Sequence, residues 1–188
     1  DDFWKNYSLR YKYADVDAPA YFVTGWYDNL VHETFKLFHG WSNKSRSREA
    51  RKLSKLLVGP WSHSNIAFGS PSGSIDFGSG SQLDVLTEHI RWYDRRLKSV
   101  DNGMDEEDPV HIFVMGENAW RYEKEWPLAR AKYTRFYLHN QRDVGTLNID
   151  LPRDEPAEHY RYDPEDPVPT LGGQIMAIQT TVSGPWDR

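Results

Sequence analysis

Ala20-Tyr-Phe-Val-Thr-Gly-Trp-Tyr-Asp28 and Lys55-Leu-Leu-Val-Gly-Pro-Trp-Ser-His63 decide how this 188-residue chain is read. Each is a run of β-branched and aromatic residues that stops at a glycine-containing turn and delivers one polar side chain just beyond it. Between them Leu30, Val31, Thr34, Phe35, Leu37 and Phe38 recur at helical spacing as far as Gly40, so the order is strand, helix, strand. A βαβ crossover places the carboxyl ends of both strands on one edge of a parallel sheet, where open α/β folds hold their ligands. Asp28 and His63 are therefore expected at one rim. An aspartate that orients an imidazole, and an imidazole that accepts a proton from a nucleophile, are two thirds of a hydrolytic triad. In α/β-hydrolases the chain order is nucleophile, acid, histidine, which fits Asp28 before His63 and puts the serine upstream. Asp28 ahead of an apolar-periodic run also reads as a helix N-cap.

Composition narrows the function classes. A hydrophobic content of 38% with 14% aromatic residues suffices for a packed core, and the fold class expected is α/β followed by an all-β part. The longest apolar runs, about five or six residues, fall far short of the roughly 20 that a membrane span needs. A formal charge of -5 leaves no basic footprint for nucleic acid. With no cysteine, thiolate catalysis, disulfides and cysteine-ligated zinc are excluded. Oligomeric state and compartment are not legible. Asp1 is not an initiator methionine and no basic-then-apolar leader follows, so the chain is expected to be internal to a longer one.

Away from the two strands, most polar motifs are incomplete. His32-Glu33 begins like a zinc helix, but Lys36 stands where the second histidine is needed. Residues 44–52 read as a basic surface loop, and the Gly/Ser-rich stretch 68–81 lacks the Gly-Lys-Ser/Thr of a phosphate loop. Ser81 and Asp84 open a helix in which Leu83, Leu86, Ile90, Tyr93 and Leu97 form one apolar face, expected to pack on the sheet. Residues 101–109 are acidic, contain Asn102-Gly103 and end in proline, the signature of a linker. Beyond them the expected strands are Val110–Met115, Tyr133–Leu138 and Thr146–Leu151, followed by a proline-rich crossing, Tyr160–Gly173.

The motifs Gly25-Trp-Tyr-Asp28 and Gly59-Pro-Trp-Ser-His63 carry a family resemblance. So do Asp1-Asp-Phe-Trp4, Trp92-Tyr-Asp94 with Leu97-Lys98, Val114-Met-Gly116 with Trp120-Arg121, Tyr160-Arg-Tyr-Asp-Pro164 and Pro167-Val-Pro-Thr-Leu-Gly-Gly173. Together, in this order, they resemble the X-Pro dipeptidyl-peptidase and cocaine-esterase family of serine hydrolases. The resemblance implies residues 1–100 as the end of an α/β-hydrolase domain, 101–109 as a linker and 110–188 as the first part of a jelly-roll. It implies Asp28 as the acid and His63 as the general base of a triad, with no metal or organic cofactor. The substrate implied is a small-molecule or peptide acyl compound: an ester, an amide or an X-Pro peptide. Trp26, Tyr27 and Leu30 flank the acid and are candidates to line the acyl pocket, with core packing as the competing reading.

The nucleophile is not found in this chain. Ser42 lacks the second glycine of a strand-to-helix elbow, Pro71 stands at the serine position of the Gly69–Gly73 cluster, and Ser62 and Ser64 adjoin the histidine. The expectation is a serine upstream and a chain inert alone. A competing reading makes the protein a non-catalytic carbohydrate- or protein-binding module on an α/β scaffold, with Trp120 and Trp126 offered for stacking. Another α/β chemistry would place an aspartate nucleophile upstream instead.

Overall fold

The structure, a computed structural model, describes residues 2–141, 144–157, 159–176 and 183–186. Residues 1–128 and 170–188 form one compact unit, and residues 129–169 form a second. The first unit opens with a short helix, α1 (Asp2–Tyr7), and two 3-10 turns. Then come β1 (Tyr21–Tyr27), α2 (Val31–Lys44), α3 (Arg48–Leu53), β2 (Lys55–Ser62), α4 (Val85–Lys98), β3 (Val110–Val114) and β4 (Ala119–Glu123). The strands form one sheet in the order β1-β2-β3-β4, parallel across β1, β2 and β3 and antiparallel at β3–β4. Among the described residues β1 has a strand on one side only.

The predicted βαβ unit is present, and the fold class is the expected α/β. β2 is the sheet's centre, with all eight residues buried, as its near-continuous apolar sequence requires of a strand covered on both faces. On one face Phe38 of α2 packs with Leu56, Val58, Val110 and Ile112; on the other Val85 packs with Leu57 and Trp61. Fully burying each of the aliphatic residues contributes about 1.5–3 kcal/mol.

Several elements depart from the sequence reading. β1 and β2 run on to Tyr27 and Ser62, because Gly25 and Gly59-Pro60 do not end the strands but sit within them. The basic stretch expected as a loop contains α3, whose N-cap Ser47 accepts a hydrogen bond from the Ala50 N–H at 2.9 Å. α4 is capped by Asp84, whose carboxylate accepts from the Thr87 N–H at 3.0 Å. It meets the sheet through Val85 and Trp92, the latter against Tyr21. Of the face expected to pack, Leu83 meets the core just ahead of the helix, while Leu86, Ile90, Tyr93 and Leu97 are all exposed.

The expected linker at 101–109 does not divide the sheet. Leu56 N–H donates to the Pro109 carbonyl, and β3 pairs in parallel with β2 from Val110 onward, so the α/β sheet continues into the stretch expected to be jelly-roll. The two compact units part after Leu128. β4 was not expected; Trp120 and Tyr122 alternate with charged residues and pair with Phe113 and His111. In the second unit the hairpin β5 (Tyr137–Gln141) and β6 (Val144–Asn148) lies a few residues from the expected strands. No described helix is long and apolar enough to cross a membrane.

Candidate active site

At the carboxyl end of β1 and β2 the ladder shifts register: Gly25 faces Gly59, and the next pair is Tyr27 with Ser62. The extra residue on β2 is a bulge, a device that re-aims a strand end. Immediately afterwards β1 turns, with the Asp28 N–H on the Gly25 carbonyl at 3.0 Å. β2 passes into a 3-10 turn, His63–Phe68, that ends at Gly69 with φ +58°. A Cβ on Gly69 would stand 1.7 Å from the Leu83 carbonyl oxygen, so glycine is required there for space as well as for backbone sign.

These two turns bring the predicted pair together. His63 Nδ1 lies 3.0 Å from Asp28 Oδ1. An ionised carboxylate only accepts, so Nδ1 carries the proton and Nε2 is left as the free base. The acid side chain is 4% exposed and the histidine side chain 37%, so the carboxylate is shielded while the imidazole reaches the surface. Two further donors hold the carboxylate. The Leu30 N–H bonds Oδ1 at 2.9 Å, and the Thr24 hydroxyl donates to Oδ2 at 2.9 Å. Asp28 does not cap α2, whose N-cap is Leu30 and carries no side-chain cap bond; its carboxylate instead holds the turn ahead of the helix, through the Leu30 N–H, together with the imidazole.

The three flanking residues diverge. Trp26 is taken up by packing: its indole N–H donates to the Phe113 carbonyl at 2.7 Å, and its ring stacks on Phe35 and lies against Trp126. Tyr27 is half-buried, with its phenol pushed up by burial, and Leu30 is 49% exposed. Trp120 and Trp126 are also engaged. Trp120 lies against Trp61, His111 and Phe113 and donates to the Gly80 carbonyl, and Trp126 stacks on Phe35. Neither ring stands free as a sugar platform. Of the serines beside the histidine, Ser62 is fully buried and its hydroxyl faces no substrate.

Other features lie away from this rim. A cavity of about 510 Å³ lined by Arg10, Tyr13, Phe35, His39 and Trp126 takes in neither Asp28 nor His63. At the amino ends of the strands Arg91 bridges Glu88 and Glu107, the Tyr21 hydroxyl donates to Glu88, and the Lys55 ammonium donates to the Glu107 carbonyl. Burial pushes the Tyr21 phenol up and the Lys55 ammonium down, and pushes the nearby His111 imidazole down to about 4. This network ties α4 and the 101–109 segment to the sheet, opposite the Asp28–His63 end.

The sequence matches the family model of the X-Pro dipeptidyl-peptidase (S15 family) over residues 1–65. It matches that of the X-Pro dipeptidyl-peptidase C-terminal non-catalytic domain over 102–168, a stretch that includes the β3–β4 hairpin paired on the α/β sheet. Cocaine esterase of Rhodococcus sp. (strain MB1 Bresler) is 32% identical over 195 aligned positions, which take in all of this chain and 33% of that protein. Among solved structures, an aminopeptidase of a marine sediment Thaumarchaeota archaeon superposes with a TM-score of 0.65 at 24% identity, covering 90% of this chain and 27% of its own. A CocE/NonD family hydrolase of Staphylococcus aureus superposes with a TM-score of 0.51 at 20% identity, over 74% of this chain and 22% of its own. The chain thus spans about a third or less of the relatives it matches. With two family models of one enzyme matched in order and a relative aligned along the whole of this chain, the chain belongs to the X-Pro dipeptidyl-peptidase and cocaine-esterase family of serine hydrolases.

Proposed function

We propose that this chain supplies the acid, Asp28, and the general base, His63, of a serine hydrolase that cleaves acyl esters or amides through an acyl-enzyme. The observation that carries the reading is the 3.0 Å bond from His63 Nδ1 to a buried carboxylate that two further donors hold, a bond that leaves Nε2 unused. The nucleophilic serine and its oxyanion donors are assigned to another part of the protein that carries this chain. That serine attacks the acyl carbonyl while His63 Nε2 takes its proton; the imidazolium, steadied by Asp28, then protonates the leaving group. Water cleaves the acyl-enzyme by the same relay in reverse.

The substrate proposed is a small-molecule or peptide acyl compound. Tyr27 and Leu30, beside the acid and open enough to meet a ligand, are proposed to line its pocket, while Trp26 is taken up by packing on Phe35 and Trp126. Without the serine the chain alone is expected to be inert, since loss of a triad member of this kind costs on the order of 10⁶ in kcat.

The test is acylation in the whole enzyme. His63→Ala should abolish the burst of nitrophenol released from a nitrophenyl ester; a wild-type burst would remove His63 from the mechanism.

A further inference from the structure

Asp28 has one oxygen on the histidine and one that faces away from it. Both are out of water, and so is Thr24, which is fully buried four positions earlier. Four residues of extended strand span about 13 Å. The two side chains meet because the chain turns back after Tyr27, closing the Asp28 N–H on the Gly25 carbonyl and laying the carboxylate over Thr24. The remaining two donors, the Leu30 N–H and His63 Nδ1–H, converge on the same oxygen, Oδ1. Turning the carboxylate about Cβ–Cγ moves both oxygens, so the two bonds to Oδ1 already resist it, and the bond to Oδ2 from the strand side adds an anchor on the opposite side of that axis.

We propose that Thr24 is a positioning residue of this site: its hydroxyl, donated to Asp28 Oδ2, fixes the carboxylate plane in which Oδ1 receives the His63 proton. The assignment rests on Asp28 and His63 acting as acid and base. The hydroxyl does a second job, because a buried carboxylate oxygen without a donor is costly and makes the acid–imidazole pair hold its proton more tightly. Losing the hydroxyl therefore misaligns the imidazole and shifts the protonation balance of the pair. A threonine present only to fill space would do neither.

The experiment is kinetics on Thr24→Val, Thr24→Ala and Thr24→Ser in the whole enzyme with a chromogenic ester, each checked for folding by circular dichroism. Valine and alanine should lower kcat about tenfold at a KM near wild type, the scale of one hydrogen bond to a charged group. They should also move the acid limb of the kcat/KM profile to higher pH. Serine should restore kcat to within about twofold and leave the limb in place. A folded hydroxyl-free variant with wild-type kcat and limb overturns the proposal. A serine variant as impaired as those lacking the hydroxyl overturns it too, and that arm decides if valine and alanine do not fold. His63→Ala in the same assay separates the two levels. If it still acylates, the acid–base assignment fails; if it is dead while Thr24→Val is unimpaired, only the role of Thr24 fails.

Discussion

Gly25 and Trp61 lie back to back where β1 and β2 part: a Cβ on Gly25 would stand 2.0 Å from the Trp61 carbonyl oxygen. The neighbour is backbone of the fully buried central strand, which cannot swing aside. Gly25→Ala is therefore expected to force the pair apart and cost about 3 kcal/mol, the upper end of overpacking penalties. The same displacement acts on the turns that carry Asp28 and His63, and a misplacement of about 1 Å costs on the order of 10² in rate. Urea unfolding and ester turnover of the variant check both; wild-type values would show that the strands have slack.

Asp28→Asn keeps the size of the side chain and removes its charge. The amide can present a donor to His63 Nδ1 and so stabilise the wrong tautomer, leaving a proton on Nε2. The expected loss in kcat is on the order of 10⁴, with KM little changed, as for the buried aspartate of serine proteases. Steady-state kinetics on the whole enzyme measures it, and a loss under tenfold would count against Asp28 as the acid.

His111 should make the fold sensitive to acid. Burial, with Lys55 and Arg91 nearby and Glu107 opposing, pushes its imidazole down to about 4. Above about pH 6.5 it is neutral folded and unfolded and contributes nothing. Between about 6.5 and about 4 the unfolded chain takes up a proton that the folded chain refuses, so stability falls as pH falls. Below that both forms are protonated, and the full penalty, at most about 3 kcal/mol, is present. His111→Phe, which keeps the stack on Tyr122 with centroids 4.1 Å apart, should flatten the slope of stability between pH 7 and 4.5 in urea titrations, about the window named. An unchanged slope would mean that the ring is wetter than its packing implies.

Trp26 and Leu30 should separate support from recognition. Trp26→Phe loses the bond to the Phe113 carbonyl and is expected to cost about 2 kcal/mol with KM unchanged. Leu30→Ala, at an exposed position, should leave stability within about 0.5 kcal/mol and raise KM for esters of bulky acids. Swapped outcomes would reassign the pocket wall.

The βαβ unit and the two residues at its rim were legible because they are local. Apolar runs, a helical period and a polar residue after each turn lie within 44 consecutive positions, Ala20 to His63. What the sequence hid depends on how strands meet. Gly59-Pro60 reads as a turn, yet β2 runs through it, since a bulge excuses proline from the ladder. α4 carries apolar residues on two sides, and periodicity does not choose between them; Trp92 reaching Tyr21 made the choice. β4 is short and alternates with charge, and its partner is set by a parallel strand far upstream. Thr24 was invisible for the same reason: positions four apart on a strand are distant unless a turn folds one back on the other.

Among the described residues β1 has a strand on its inner flank alone. Its seven residues, Tyr21–Tyr27, rich in aromatic side chains and without a charge, therefore present a row of backbone groups that no described strand covers, with the Trp26 carbonyl taken by the Gln174 side-chain amide at 2.8 Å. Such a row is the template on which identical molecules stick edge to edge. With that edge uncovered the polypeptide is expected to associate, and light scattering would register it. A lysine or proline placed at the lip of that strand is expected to keep it in solution.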